Sequence, residues 1–244
     1  MLKMGRGRQS TSTPEVSISS RRRWRHRLVV GLTLVTGIAD ALGVLALGGA
    51  FSSVMTGNMV LLGLSAGTRD PQLAISASSA IGAYIVGVLV GSRIAGVPDP
   101  NDALWPRQVT WALSLELVAM LGFLVSWEVL LADGFDKTAQ LIMLMVLAAA
   151  LGIQGSAVQR FGVSGLSSTY LTGTLTGLIA GVAMRRPWRS LLPSAELLAA
   201  LIVGAGLGAA VLVYVPRLAP IVLVVPLVAV MIGGLLLRES RRDR

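Results

Sequence analysis

The sequence contains no cysteine and a single histidine, His26. The first absence excludes disulfides, thiol catalysis and thiolate metal sites. The second leaves no imidazole pair to hold a metal. Charge is also scarce, at 14% of residues against about 25% in an ordinary soluble domain. It is missing altogether from residues 41–68, 71–92, 138–159, 161–184, 197–216 and 218–237. Each run is near or above the roughly 18–20 residues that cross a bilayer as a helix. A soluble core has no use for so many uncharged runs of this length. No Ser-His-Asp, metal-ligand or phosphate-loop pattern occurs, so neither an enzyme nor a cofactor is expected.

What the chain does have is apolar residues, 54% of the total, and a net charge of +9. The placement of the charge gives its meaning. Residues 1–27 hold eight Lys/Arg and residues 238–244 hold four more. These groups flank the first and last spans, where the positive-inside rule puts cytoplasmic residues. The expectation is a multi-pass protein of the cell inner (plasma) membrane with both termini in the cytoplasm. Its partner is then the bilayer, not nucleic acid. Arg21, Arg22, Arg23, Arg25 and Arg27 are placed to meet anionic lipid headgroups. Residues 1–26 read as a disordered basic tail, 27–238 as one membrane domain and 239–244 as a second basic tail. Residues 21–47 resemble a signal peptide, but the apolar part is long and contains Asp40. It reads as an uncleaved first helix.

The spacing predicts spans over about 28–47, 73–95, 108–131, 138–158, 194–214 and 219–237, the last one kinked by Pro226. Two shorter segments, about 51–67 and 167–184, are apolar but broken and polar. The fold class is therefore all-α: a polytopic membrane helix bundle of about six transmembrane helices plus two short broken or re-entrant helices. Basic ends require an even number of crossings. Eight would need both short segments to cross. A 17-residue helix is only about 25 Å long, and its polar groups favour burial in protein over lipid. Six is preferred.

The first short segment, with its approach, reads LGGAFSSVMTGNMVLLGLSAG over residues 47–67, and the second reads SSTYLTGTLTGLIAG over residues 167–181. Thr56, Gly57 and Asn58 match Thr172, Gly173 and Thr174, and both sets follow a small hydroxyl pair, Ser52-Ser53 or Ser168-Thr169. The chain thus reads as two pseudo-repeats, about 28–131 and 138–237. Three spans per half would make them inverted, an arrangement that transporters use with binding sites at discontinuous helices. The expected site collects Ser53 and the two Thr-Gly motifs facing one another near the membrane centre. The alternative use of these small residues is close helix packing.

Asp40 lies twelve residues into the first span, about 18 Å of helix rise, so near mid-membrane. A central carboxylate costs about 2.5–3.5 kcal/mol on insertion scales, so it is either a proton carrier or a structural hydrogen-bonding group. Glu116, eight residues into the third span, poses the same choice. Glu128 and Glu196 read as interfacial. Arg160, after Gln154 and Gln159, is a candidate gate or ion-pair member at a span end.

The stretch from Gly37 through Asp40, Gly48-Gly49 and Ser53 to Thr56-Gly57-Asn58, with Gly152-Ile153-Gln154, Arg160 and Thr172-Gly173-Thr174, resembles the YoaK-like family. Its members are bacterial and fungal integral membrane proteins labelled as a domain of unknown function. The resemblance covers about residues 28–237 and departs at Val44, where an aromatic residue is common. It implies about six membrane helices and no established activity. The functional expectation is a small-solute transporter or permease of unknown substrate, with proton coupling through Asp40. The alternatives are a non-transporting scaffold or partner subunit and a passive channel. Oligomerisation stays open.

Overall fold

The computed structural model describes residues 14–99, 102–103, 105–133, 136–161 and 171–239. Among them are eight α-helices and no strand: α1 (Pro14–Ala46), α2 (Met55–Thr68), α3 (Pro71–Ala95), α4 (Arg107–Asp133), α5 (Lys137–Gln159), α6 (Leu171–Ala183), α7 (Trp188–Tyr214) and α8 (Ala219–Glu239). Six of the helical segments are long and apolar enough to cross a membrane, and α2 and α6 are the short pair.

Local chemistry sets the boundaries. Asp70 caps α3 by accepting from the Leu73 N–H at 3.0 Å, with Pro71 at the first helical position. Asp136 caps α5 by accepting from the Ala139 N–H at 2.6 Å. Each cap satisfies a backbone donor that the first helical turn leaves free. After Ala46 the chain breaks at Gly48 and Gly49, which take φ of 96° and 80°. Residues with a Cβ rarely adopt those angles. Residues 14–26, expected within a disordered tail, instead continue α1. No Pro or Gly interrupts residues 15–30, so the helix runs outward from the span without a stop. The expectations for residues 1–13 and 240–244 lie outside the described residues.

Helix directions follow from close contacts. Gln154 of α5 donates to the Leu32 carbonyl and to Thr36 of α1, while Gly43 of α1 lies near Leu144. The two helices are therefore antiparallel. Helix α3 runs parallel to α5, with Gly87 against Ala149 and Ser92 against Ser156. Helix α7 runs parallel to α1, with Gly204 against Leu34 and Gly208 against Ile38.

The two parallel pairs are twins. A Cβ added at Gly37 would collide with the Leu201 carbonyl, and one added at Gly152 would collide with the Tyr84 carbonyl. Gly204 meets the Leu34 backbone as Gly87 meets that of Ala149, and Gly208 meets Ile38 as Gly91 meets Ile153. One set of contacts thus recurs with α1 replaced by α5 and α7 by α3. Because α1 and α5 are antiparallel, the two halves are inverted. Lipid offers little hydrophobic drive for helix association, so close backbone approach at small residues holds such pairs together.

Helix α2 is a half-length arm. It starts beside Asp40 inside the bundle and ends at the turn into α3, on the side where α1 ends. It does not cross. The start of α1, the end of α3, the start of α7 and the end of α8 share the opposite side. Tilted aromatic pairs fill both ends of the core, Trp105 with Phe161 at 5.7 Å and Phe123 with Trp127 at 5.6 Å. Ile85, Val86 and Leu89 of α3 and Ile202 and Val203 of α7 face outward, as lipid-facing residues do.

Candidate functional site

After α1 the chain doubles back on itself. Residues 47–54 leave the top of the helix and return to the level of Asp40. The carboxylate of Asp40 accepts three hydrogen bonds from the returning strand of chain: from the Ser53 N–H at 2.7 Å, from the Ser53 hydroxyl at 2.6 Å and from the Ser52 hydroxyl at 3.2 Å. All three residues are buried. A backbone donor at this depth has no water to turn to, so Asp40 supplies what the lost helix would have supplied.

Asn58 closes the other side of the break. Its side-chain oxygen accepts from the Phe51 N–H at 2.8 Å and its amide nitrogen donates to the Phe51 carbonyl at 2.7 Å. The amide thus copies a backbone partner and fixes the entry to α2. Thr174, the counterpart of Asn58 by sequence, is partly buried on α6. Its neighbours Ser168 and Thr169 lie outside the described residues.

The expected meeting of the two Thr-Gly motifs is not what the structure shows. Helix α2 packs on α3 and α6 packs on α7. Thr56, Thr172 and Gly173 are exposed, and Gly57 packs against Phe51 of its own segment. Of the predicted set, the break gathers Asp40, Ser53 and Asn58, and adds Ser52 and Phe51.

One turn below Asp40 on α1, Thr36 accepts from the Gln154 amide nitrogen at 2.9 Å, and the Leu32 carbonyl accepts from the same nitrogen at 3.3 Å. The side-chain oxygen of Gln154 is buried with no hydrogen-bond partner. So are both carboxyl oxygens of Glu116, which is 0% exposed on α4. A buried carboxyl without partners is rare and costly.

Arg160 sits at the far end of α5 and forms the ion pair that its position suggested. Its guanidinium donates twice to Asp102, both at 2.8 Å, and to the Ala95 carbonyl at 2.5 Å. These bonds tie the end of α3 and the loop before α4 to α5. The paired guanidinium holds the Asp102 carboxyl below the usual carboxylate range, against a smaller opposing effect of burial. Asp102 is itself only partly buried. Arg25, read as a lipid-facing residue, turns inward instead and donates to the Phe161 and Ala103 carbonyls at 2.9 and 2.8 Å. His26 and Glu196 meet at 2.7 Å, joining α1 to α7. Among the described residues no cluster of His, Asp and Glu could hold a metal ion.

Comparison with known proteins places these features in a family. Residues 28–233 match the family model described as protein of unknown function (DUF1275). The chain is also similar to the UPF0700 transmembrane protein YoaK of Bacillus subtilis (strain 168). The identity is 36% over 162 residues, covering 66% of this chain and 69% of the relative. No solved structure matches the chain.

Proposed function

The chain belongs to the DUF1275 family of membrane proteins, and from that premise we propose that it is a small-solute transporter whose cycle is coupled to protons through Asp40. The observation that carries the reading is an ionisable side chain holding shut a helix break inside a bundle of two inverted halves. Inverted repeats with discontinuous helices are the architecture in which one site is exposed to either side of a membrane by moving one half against the other.

The chemistry follows from the bonds at the break. An ionised Asp40 accepts from three donors. A proton on one oxygen removes most of that oxygen's accepting power and weakens the bonds to Ser52 and Ser53. The returning segment and α2, held on one flank by Asp40 and on the other by Asn58, are then freer to move. Proton binding at Asp40 and opening of the break are in this way one event.

The basic ends support a plasma-membrane orientation with both termini in the cytoplasm. The unpaired basic residues there, Arg23 among them, meet anionic headgroups. The substrate is a small solute recognised by polar groups at the break.

Reconstitution into vesicles tests the reading. A panel of solutes is screened for accumulation driven by an imposed proton gradient, in native protein and in Asp40→Asn. The native protein accumulates its solute uphill, and the variant retains only downhill exchange. A folded native protein that moves nothing under either condition identifies a scaffold or partner subunit instead. Uphill accumulation that survives in Asp40→Asn moves the coupling away from Asp40.

A further inference from the structure

We propose that Glu116 is a second proton-binding site, its acid proton donated as a hydrogen bond to the side-chain oxygen of Gln154. The inference rests on the transporter reading for its role in the cycle, but not for its existence.

Register brings the two residues together. Helices α4 and α5 form a hairpin joined by three residues. Glu116 lies seventeen residues before Asp133, where α4 ends, and Gln154 lies seventeen after Lys137, where α5 begins. The hairpin therefore sets them at one depth. The same counting matches Trp127 with Met143, Phe123 with Leu147, Met120 with Ala150 and Leu113 with Ala157, and every one of these residues is buried. The buried stripes of the two helices face one another, and Glu116 and Gln154 occupy one rung.

The hydrogen-bond accounting on that rung is incomplete. Both carboxyl oxygens of Glu116 and the side-chain oxygen of Gln154 have no partner, and all three are acceptors when Glu116 is ionised. The Gln154 nitrogen is already committed to Thr36 and the Leu32 carbonyl, so the amide cannot turn to offer it. What the rung lacks is a donor. One proton on Glu116 supplies it.

No charge on the neighbouring helices offers another solution. Residues 138–159 of α5 and 218–237 around α8 contain no Asp, Glu, Lys, Arg or His. On α3, Arg93 is exposed near the helix end, and Arg217 is exposed on the turn before α8. Arg160 is held by Asp102, and Asp40 of α1 by Ser52 and Ser53. An ionised Glu116 would be a bare charge in a low-dielectric interior, the costliest state for such a group.

The placement gives the proton a use. Thr36 and Asp40 are neighbours on one face of α1, a turn apart. Ser53, Asp40, Thr36, Gln154 and Glu116 then form a buried polar file across α1, α5 and α4, running from the break into the bundle.

Infrared spectroscopy of the full chain in lipid vesicles tests the assignment, because it reads a protonated carboxylic acid directly and needs no solute. Native protein at neutral pH shows the carbonyl stretch of a buried protonated acid. Glu116→Gln loses that band, Asp40→Asn keeps it, and Gln154→Leu displaces it by removing the acceptor. Should Gln154→Leu fail to fold, Gln154→Met has nearly the native length and reads the same displacement. Absence of the band from native protein, its survival in Glu116→Gln, or an unmoved band in the folded Gln154 variants overturns the proposal. None of these outcomes depends on whether the protein moves a solute.

Discussion

Asp40 and Ser53 are joined twice, through the backbone N–H at 2.7 Å and the hydroxyl at 2.6 Å, across a stretch of chain that leaves α1 and folds back onto it. A single carboxylate thus takes over the duties of a terminated helix. Removing it should be felt as a loss of stability before any loss of activity. Asp40→Ala strands a buried N–H and two hydroxyls, and each stranded group costs about 1–3 kcal/mol. The midpoint of thermal unfolding in detergent should fall clearly in Asp40→Ala and much less in Asp40→Asn, which keeps one accepting oxygen. Equal midpoints for Ala and native protein would mean that the break is held by something else.

The glycine contacts predict matched behaviour at twin positions. Gly87→Ala and Gly204→Ala each drive a methyl into a facing backbone, at Ala149 and Leu34. Each should cost about 1–3 kcal/mol, as over-packing does. Gly63 faces open space on α2. Gly63→Ala should leave stability unchanged or raise it by up to ~1 kcal/mol through helix propensity. Unfolding of the three variants in parallel checks this, and a large loss at Gly63 would contradict the packing described.

Acid should release the loop that Arg160 holds. The folded Asp102 carboxyl titrates below its unfolded value, so its contribution is complete at neutral pH. It is lost as pH falls from the unfolded value of about 3.9 through the lower folded one. Proteolysis of the loop between α3 and α4 should therefore accelerate at acid pH in native protein. Asp102→Asn should show the fast cleavage already at neutral pH, with a flatter pH dependence. An unaltered pH profile in that variant would remove Asp102 from the account.

Orientation can be read from single cysteines, since the native chain has none. Val97 is 82% exposed in the loop after α3, on the side where α1 begins. Arg217 is exposed between α7 and α8 on the other side. An impermeant thiol reagent applied to intact cells should label Arg217→Cys and spare Val97→Cys. The reverse pattern would place the termini outside.

Much of this fold was legible because charge is scarce within the helices and gathers near their ends. Uncharged runs marked four of the six spans, α3, α5, α7 and α8, long apolar stretches carrying buried carboxyls marked α1 and α4, and Gly48-Gly49 marked the break. The bonds from Asp40 to Ser52 and Ser53 were harder to see. Periodicity describes a helix that continues and is silent about a chain that folds back over thirteen positions. Asp102 carried a signal that could have been used: Arg160, a lone cation at a span end, needs a carboxylate, and the loop before α4 holds the nearest ones. The likeness of Thr56 to Thr172 misled for a geometric reason. Inverted repeats place equivalent residues in equivalent surroundings on opposite sides of an axis, and they touch only if they lie close to it.

The same inversion bears on the resting state. A duplicated scaffold with identical halves has two mirrored arrangements of equal energy, and nothing chooses between them. Here the scaffold is shared, but two of its buried polar side chains are not. Asp40 stands where the other half has Gly155, and Gln154 stands where the other half has Ala39. The bonds that Asp40 accepts from Ser52 and Ser53, and those that Gln154 donates to α1, therefore start from side chains that Gly155 and Ala39 do not have. Such one-sided chemistry breaks the tie: the two halves are unequal in energy however closely their backbones match.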